Sequence, residues 1–316
     1  MKTFRIDFNL MNKDMTFPPT AMAVGYFDGI HRGHKQVIDK AKQIADEHDY
    51  ESAVMTFDPH PSVVLGKGTG EHEHITPVED KVEIMEDLGI DRLYIITFSK
   101  EFASLTPQEF VDLFVIGFNV KHVVAGFDFS FGKKGEGTME TLPFHSRGKF
   151  DHTTVDKVAI NGEKVSSTLI RTLIRTGSVE RIPNYMGRRY RLRGSVVRGE
   201  QRGSTIGFPT ANILPADSYL FPATGVYAVK LFVNANWYKG VCNVGYKPTF
   251  HNEMEGLPSV EVHLFCFNQS IYGEKVIVEW CQRLRDEKKF SSAEELIKQI
   301  SIDSEMAMAY FENSSE

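Results

Sequence analysis

The chain has 316 residues, 41% of them hydrophobic and 25% charged, with a formal net charge of −6 at pH 7. That length exceeds what one compact core ordinarily serves, so two domains are expected, each burying its own apolar interior. The acidic balance counts against a general binder of nucleic acid or anionic membranes, which needs a basic surface to neutralise phosphates, but it allows a local basic pocket.

Cys242, Cys266 and Cys281 are odd in number and lack metal-type spacing, which points to reduced thiols and a cytoplasmic protein. Residues 1–9 carry charges early and lack the apolar core of a signal peptide. The longest apolar stretch, around 110–120, is interrupted by Asp112 and is too short to span a bilayer.

In the first half, short apolar runs alternate with helical periodicity. Residues 22–24 read as a strand, and 35–48 place Val37, Ile38, Ala41, Ile44 and Ala45 on one helical face. Residues 53–57 read as a buried strand, 78–88 as a helix with Val78, Val82, Met85 and Leu88 on its stripe, 92–98 as a strand, 107–118 as a helix and 122–125 as a strand. This alternation predicts βαβ units, hence a Rossmann-like parallel sheet with helices on its faces and ligands beyond the carboxyl ends of its strands.

After a helix over 168–176 and a short one ending near Gly187, the pattern changes. Residues 191–197, 226–233, 237–244, 260–267 and 276–280 read as strands with no helix between them, the signature of an antiparallel barrel or sandwich. Ser291 and Ser292, each followed three residues later by Glu294 and Glu295, mark a capping box before Leu296, Ile297 and Ile300, and a second helical stretch covers 304–311. The domains are therefore expected at 1–186 and 187–316.

The loop from Gly25 to His34 joins the first of these strands to its helix, which is expected to start at His34 or Lys35. Its glycines let the backbone approach a ligand, and the helix's free N–H groups face it, so Gly25, Phe27, Asp28 and Gly33 form a phosphate cradle. His31 and His34 flank Gly33, and each imidazole can donate a hydrogen bond to an oxygen that gains charge during transfer. The plainer reading is a turn with two surface histidines. His60, in the turn 57–61, follows the second strand on the same sheet edge. Ser167 and Thr168 open a helix, where their hydroxyls cap it or bind phosphate, and Arg171 offers a bidentate fork. Phe127, Asp128, Phe129 and Phe131 follow another strand; the aromatics can stack on a flat ring, although at least one is expected in the core.

These four segments (His-x-Gly-His, Phe-Asp-Pro-His-Pro, Gly-Phe-Asp-Phe-Ser-Phe-Gly and Ser-Ser-Thr-Leu-Ile-Arg) occur in the order and spacing of the prokaryotic FAD synthetase module, which they resemble. The resemblance implies a nucleotidyltransferase-like α/β fold and adenylyl transfer, in which the FMN phosphate attacks the α-phosphate of ATP and pyrophosphate leaves. It implies that His31 and His34 stabilise the phosphates, that Ser167, Thr168 and Arg171 hold the triphosphate, and that His60, Asp128 and Phe129 lie near the flavin substrate. Class I aminoacyl-tRNA synthetases share the loop, but this sequence has no recognisable anticodon-binding domain and little net basicity.

The second dense signal runs from Gly199 to Asn212. Gly199, Gly203 and Gly207 give a loop able to wrap phosphates. Thr210 and Asn212 are two apart, so on an extended backbone they face the same way and offer hard oxygens to a Mg²⁺ that ATP also holds. The plainer reading is a Gly-Pro turn. In Val260, Glu261 and Val262 the valines face one side and the carboxylate the other. Six arginines between Arg188 and Arg202 are read as compensating ATP charge and pairing at a domain interface.

Gly-Phe-Pro-Thr-Ala-Asn, followed in order by 243–250, 259–263, Tyr272-Gly273, Leu284-Arg285 and Lys289-Phe290, closely resembles the riboflavin kinase family. That resemblance implies a β-barrel that phosphorylates riboflavin to FMN, with Glu261 as catalytic base and Arg285 near the flavin. Ser204 departs from the basic residue of many relatives, and Leu169 from an arginine of some. The two resemblances together imply a bifunctional enzyme whose partners are riboflavin, FMN and ATP, with neither nucleic acid nor membrane, and they are compatible with self-association. Two alternatives stand beside this: a barrel that binds flavin for regulation without turnover, and a flavin-responsive nucleic-acid-binding regulator.

Overall fold

A computed structural model of the chain describes residues 1–7, 16–66, 73–199, 203, 206–246 and 258–314. Ser204 and residues 247–250 of the motifs above lie outside these. The chain divides into two compact units, Met1–Ser167 and Thr168–Glu316.

In the first unit, β1 (Lys2–Ile6), β2 (Thr20–Val24), β3 (Glu51–Asp58), β4 (Arg92–Thr97) and β5 (Val120–Gly126) precede a short ribbon of β6 (Ser130–Phe131) and β7 (Gly137–Thr138), and β8 (Asp151–Val155) follows. The order β1-β4-β3-β2-β5-β8 makes a six-stranded sheet in which every pairing is parallel. Strand alternation divides its side chains between two cores. Ala21, Ala23, Val54, Leu93 and Ile95 pack with helices α1 (Arg32–His48) and α3 (Val78–Asp87) on one face, and a short helix α2 (Pro61–Val64) with no buried residue follows β3. Met22, Val24, Met55, Phe57, Tyr94 and Ile96 pack with Phe102 of α4 (Lys100–Ser104), Phe110 of α5 (Pro107–Phe110), and Phe114 of the π-helical turn Val111–Ile116 that continues it. Burial on both faces is why β2 and β3 read as continuous apolar runs. A helix α6 (Leu142–Ser146) and a ribbon of β9 (Ala159–Ile160) with β10 (Glu163–Lys164) complete this unit.

The topology places the loops. From β2 the chain runs to β3 and β4 on one side, then returns to β5 on the other. The strand order therefore reverses between β2 and β5, where open parallel sheets form their ligand crevice. The loops 25–31 and 127–129 follow these two strands.

Helix α7 (Ser167–Arg175) starts at the last residue of the first unit and continues into the second, where α8 (Ile182–Met186) follows; the amide of Ala223 donates to the carbonyl of Ile174 at 3.2 Å, tying α7 to the barrel that follows. Strands β11 (Arg191–Val197), β12 (Ala211–Pro215), β13 (Gly225–Val233), β14 (Asn236–Gly245), β15 (Ser259–Leu264) and β16 (Lys275–Arg285) close an antiparallel barrel in the order β11-β12-β15-β14-β13-β16. Arg191 Nε donates to Glu279 Oε2 at 2.7 Å across the closing β11–β16 pair, and Arg189 Nε lies 3.6 Å from the same carboxylate. These two arginines, read from sequence as serving ATP or a domain interface, both approach the Glu279 carboxylate of β16.

Several boundaries depart from the sequence reading. Helix α1 begins at Arg32, ahead of the expected His34, because His31 acts as its N-cap. The expected pair of C-terminal helices is one helix, α9 (Ala293–Asn313), capped by Ser292, whose hydroxyl accepts from the Glu295 amide at 3.2 Å. Strand β15 stops at Leu264 rather than Phe267, since Cys266 adopts a φ of 53°.

Candidate active sites

In the first unit, the loop after β2 is held by a set of short contacts. Phe27 at φ 55° and Gly29 at φ 87° reverse the chain. A β-carbon at Gly25 would meet the Phe27 ring at 3.0 Å, and one at Gly33 would meet the His31 ring at 3.2 Å, so these glycines make room for the loop's own side chains. His31 Nδ1 accepts the His34 backbone N–H at 3.1 Å. A neutral His31 then carries its ring proton on Nε2. The two imidazoles stack with centroids 3.6 Å apart and planes 16° from parallel, and Phe27 meets His34 edge-on at 5.3 Å. The structure thus brings His31 and His34 together at the start of α1, as expected.

Asp28 is buried, and its Oδ1 accepts the amides of Ile75 and Thr76 at 3.0 Å each. Its carbonyl accepts the Ser167 hydroxyl at 2.8 Å, which joins the Ser-Ser-Thr segment to the loop. Thr168 and Arg171 continue α7 in the second unit. His60 follows the cis Asp58–Pro59 bond, caps α2 by accepting the Ser62 amide at 3.0 Å, and meets the Tyr26 ring edge-on at 4.2 Å. Asp128 pairs with Lys164 at 3.2 Å, and Lys164 lies 4.7 Å from the exposed Phe127 ring. Phe131 is the core aromatic of this loop, and Phe129 stacks on it at 6.0 Å.

Sequence reasoning missed Lys81. Its Nζ donates to the Tyr26 carbonyl at 2.8 Å, and Thr56 Oγ1 donates to the same oxygen at 2.9 Å. Burial pulls the Lys81 ammonium down to about 8, while Asp28 and Asp58 push it back up.

In the second unit, a cavity of about 270 Å³ is lined by Gly203, Phe208, Thr210, Asn243, Glu261, His263 and Arg285, with Phe290, Leu296, Ile300 and Asp303 on the α9 side. Strand register places Asn212 opposite Glu261 and Glu261 opposite Asn243, so three polar side chains form a row across β12, β15 and β14. Val260 and Val262 are buried while Glu261 is half-buried on the cavity side, as the alternation predicted. His263 Nδ1 donates to the Pro209 carbonyl at 2.8 Å, anchoring the residue before Thr210. Arg285 lines the cavity, but its fork is engaged: Nε and Nη2 donate to Asp303 at 2.8 and 2.7 Å. What it offers a ligand is its planar face and its remaining N–H groups.

Magnesium fits these donors. A β-carbon at Gly199 would collide with the Asn212 side chain, so glycine there lets the amide lie against the loop backbone. No group of three His, Cys, Asp or Glu suited to a metal occurs among the described residues. Thr210 and Asn212 can offer a hydroxyl and an amide oxygen, a partial neutral set of the kind that suits an ion also held by phosphates and water. Burial pushes the Cys242 and Cys281 thiols up, so neither supplies a ready thiolate.

Residues 13–169 match the FAD synthetase family and residues 186–311 the riboflavin kinase family. The chain is 50% identical over 294 residues to the bifunctional riboflavin kinase/FMN adenylyltransferase of Bacillus subtilis (strain 168), covering 93% of each. The chain belongs to the bifunctional riboflavin kinase/FMN adenylyltransferase family. The Listeria monocytogenes member is 44% identical over 311 residues, covering 98% of each chain. A Streptococcus pneumoniae crystal structure described as a macrolide-efflux protein shares 36% identity over the full length of both chains with a TM-score of 0.87. That description belongs to the S. pneumoniae protein. In this member of the flavin family, no helix among the described residues is long and apolar enough to cross a membrane.

Proposed function

We propose that this bifunctional enzyme divides its two reactions between residues 1–186 and residues 187–316. Riboflavin is phosphorylated to FMN in the barrel, and FMN is adenylylated to FAD at the loop after β2. The cross-strand row Asn212–Glu261–Asn243 beside the cavity carries the kinase assignment.

In the kinase step, Glu261 takes the proton of the ribityl hydroxyl as its oxygen attacks the γ-phosphate of ATP, and ADP leaves. Gly199, Gly203 and Gly207 allow the loop to wrap the phosphates. Thr210 and Asn212 would hold Mg²⁺, which would neutralise phosphate charge. The Arg285 plane lies against the flavin. In the second step, an oxygen of the FMN phosphate attacks the α-phosphate of ATP, and the bond to the β-phosphate breaks to release pyrophosphate. His31, through Nε2, and His34 donate to the oxygens that gain charge. The N-terminal amides of α1, the turn at Gly25, Phe27, Asp28 and Gly33, and the Ser167 hydroxyl frame the phosphates. The motif's resemblance extends the triphosphate contacts to Thr168 and Arg171, and the flavin contacts to His60, Asp128 and Phe129. We place both reactions in the cytoplasm, in keeping with three unpaired cysteines.

The test is to incubate the pure protein with riboflavin, ATP and Mg²⁺ and separate the flavins by chromatography. FMN followed by FAD is expected. FAD made only from supplied FMN would instead favour a regulatory barrel.

A further inference from the structure

Lys81 is only 1% exposed and sits on the apolar stripe of α3 with Val78 and Met85. A buried ammonium is costly unless paired, and a hydrophobic residue there would avoid the cost. Its contacts point to one place. Nζ donates to the Tyr26 carbonyl at 2.8 Å and lies 3.9 Å from the centroid of the Tyr26 ring. Thr56 Oγ1 holds the same carbonyl at 2.9 Å. Tyr26 directly precedes Phe27, whose φ of 55° begins the turn toward the paired histidines. Two residues on, the Asp28 carboxylate bonds the amides of Ile75 and Thr76. The segment 75–81 therefore grips the loop at two points, the Tyr26 carbonyl and the Asp28 carboxylate. Asp28 and Asp58 favour the charged amine.

We propose that Lys81 is a positioning residue for adenylyl transfer: through the Tyr26 carbonyl it fixes the turn that carries His31 and His34, and its ammonium adds positive potential next to the phosphate loop. The proposal rests on the reading of that loop as the adenylyl-transfer site. Lys81 touches the loop backbone, so its effect is on geometry at the reacting phosphate, where a displacement of about 1 Å can cost about a hundredfold in rate.

The experiment compares Lys81→Met, Thr56→Val, the double variant and His34→Ala in the full chain. It reads kcat and KM for FAD formation, kinase activity, and the thermal transitions. Lys81→Met should lower kcat for FAD formation by about ten- to a hundredfold. KM for ATP should move far less, kinase activity should hold, and no thermal transition should fall below that of the wild type. Because both donors share one acceptor, the double variant should lose less than the product of the single losses. Unchanged kcat in Lys81→Met, a rise in KM alone, or a loss that tracks an early melting transition overturns the proposal. If His34→Ala collapses FAD formation while Lys81→Met does not, only the Lys81 assignment falls. If His34→Ala is active, the loop reading falls, and this proposal with it.

Discussion

His31 caps the helix that carries His34 in its first turn: the His31 ring nitrogen accepts the His34 amide at 3.1 Å, and the two rings stack at 3.6 Å. One bond thus sets the helix start, the His31 tautomer and the spacing of two donors. It also separates their variants. His34→Ala leaves the backbone cap intact and should slow FAD formation by roughly two to three orders of magnitude, the usual cost of one transition-state donor. His31→Asn keeps a competent cap but removes the imidazole; it should lose FAD formation at nearly constant melting temperature, whereas His31→Ala also forfeits about 1 kcal/mol of capping. Steady-state rates beside thermal melts decide this, and a fully active His31→Asn would reduce His31 to a cap.

Glu261→Gln keeps shape and removes basicity. The turnover number for FMN formation should fall about a hundredfold to ten-thousandfold. Riboflavin binding, followed by flavin fluorescence, should persist, and so should adenylylation of supplied FMN. Binding lost in proportion to rate would make Glu261 a binding residue.

Asn212→Ala should reduce kinase kcat/KM by at least about tenfold, a loss seen even for indirect metal partners. Gly199→Ala should do the same, because its new β-carbon displaces the Asn212 amide. Titrating Mg²⁺ should shift the kinase activation curve upward in both variants and leave FAD formation from FMN unchanged. Equal damage to both activities would indicate unfolding instead.

The burial of Lys81 gives a pH signature. Below about pH 8 the amine is charged both folded and unfolded, so its burial penalty is fully present. As pH rises from about 8 to 10.5, the folded chain has released the proton that the unfolded chain still holds, and the penalty fades. That fall corresponds to about 3 kcal/mol. Lys81→Met should therefore be at its most favourable for stability near pH 7, relative to wild type, and lose that advantage toward pH 10. Thermal melts of both proteins across that range read the difference, and a difference that stays constant with pH contradicts it.

Legibility from sequence followed burial. The central strands β2, β3 and β4 are covered on both faces and announce themselves as apolar runs. The edge strands β1 and β8 went unread because their residues, such as Lys2, Thr3, Asp151 and His152, are exposed and polar. Loop position drew attention to the paired histidines, whereas Glu261 came from the riboflavin kinase resemblance, with strand alternation setting only the side it faces. Lys81 was missed although a signal existed: it lies three residues after Val78 and four before Met85, a core position on an amphipathic helix occupied by a charge. The Arg285–Asp303 pair joins residues 18 apart through a helix that packs back on the barrel, and no local pattern encodes it.

The central claim is that two separate sites make FMN and FAD in sequence. The most direct measurement is the chromatographic flavin profile of the His34→Ala chain supplied with riboflavin, ATP and Mg²⁺. FMN should accumulate at the wild-type rate while FAD stays near background. FAD at a wild-type rate, or loss of FMN along with it, would contradict the assignment of one reaction to each site.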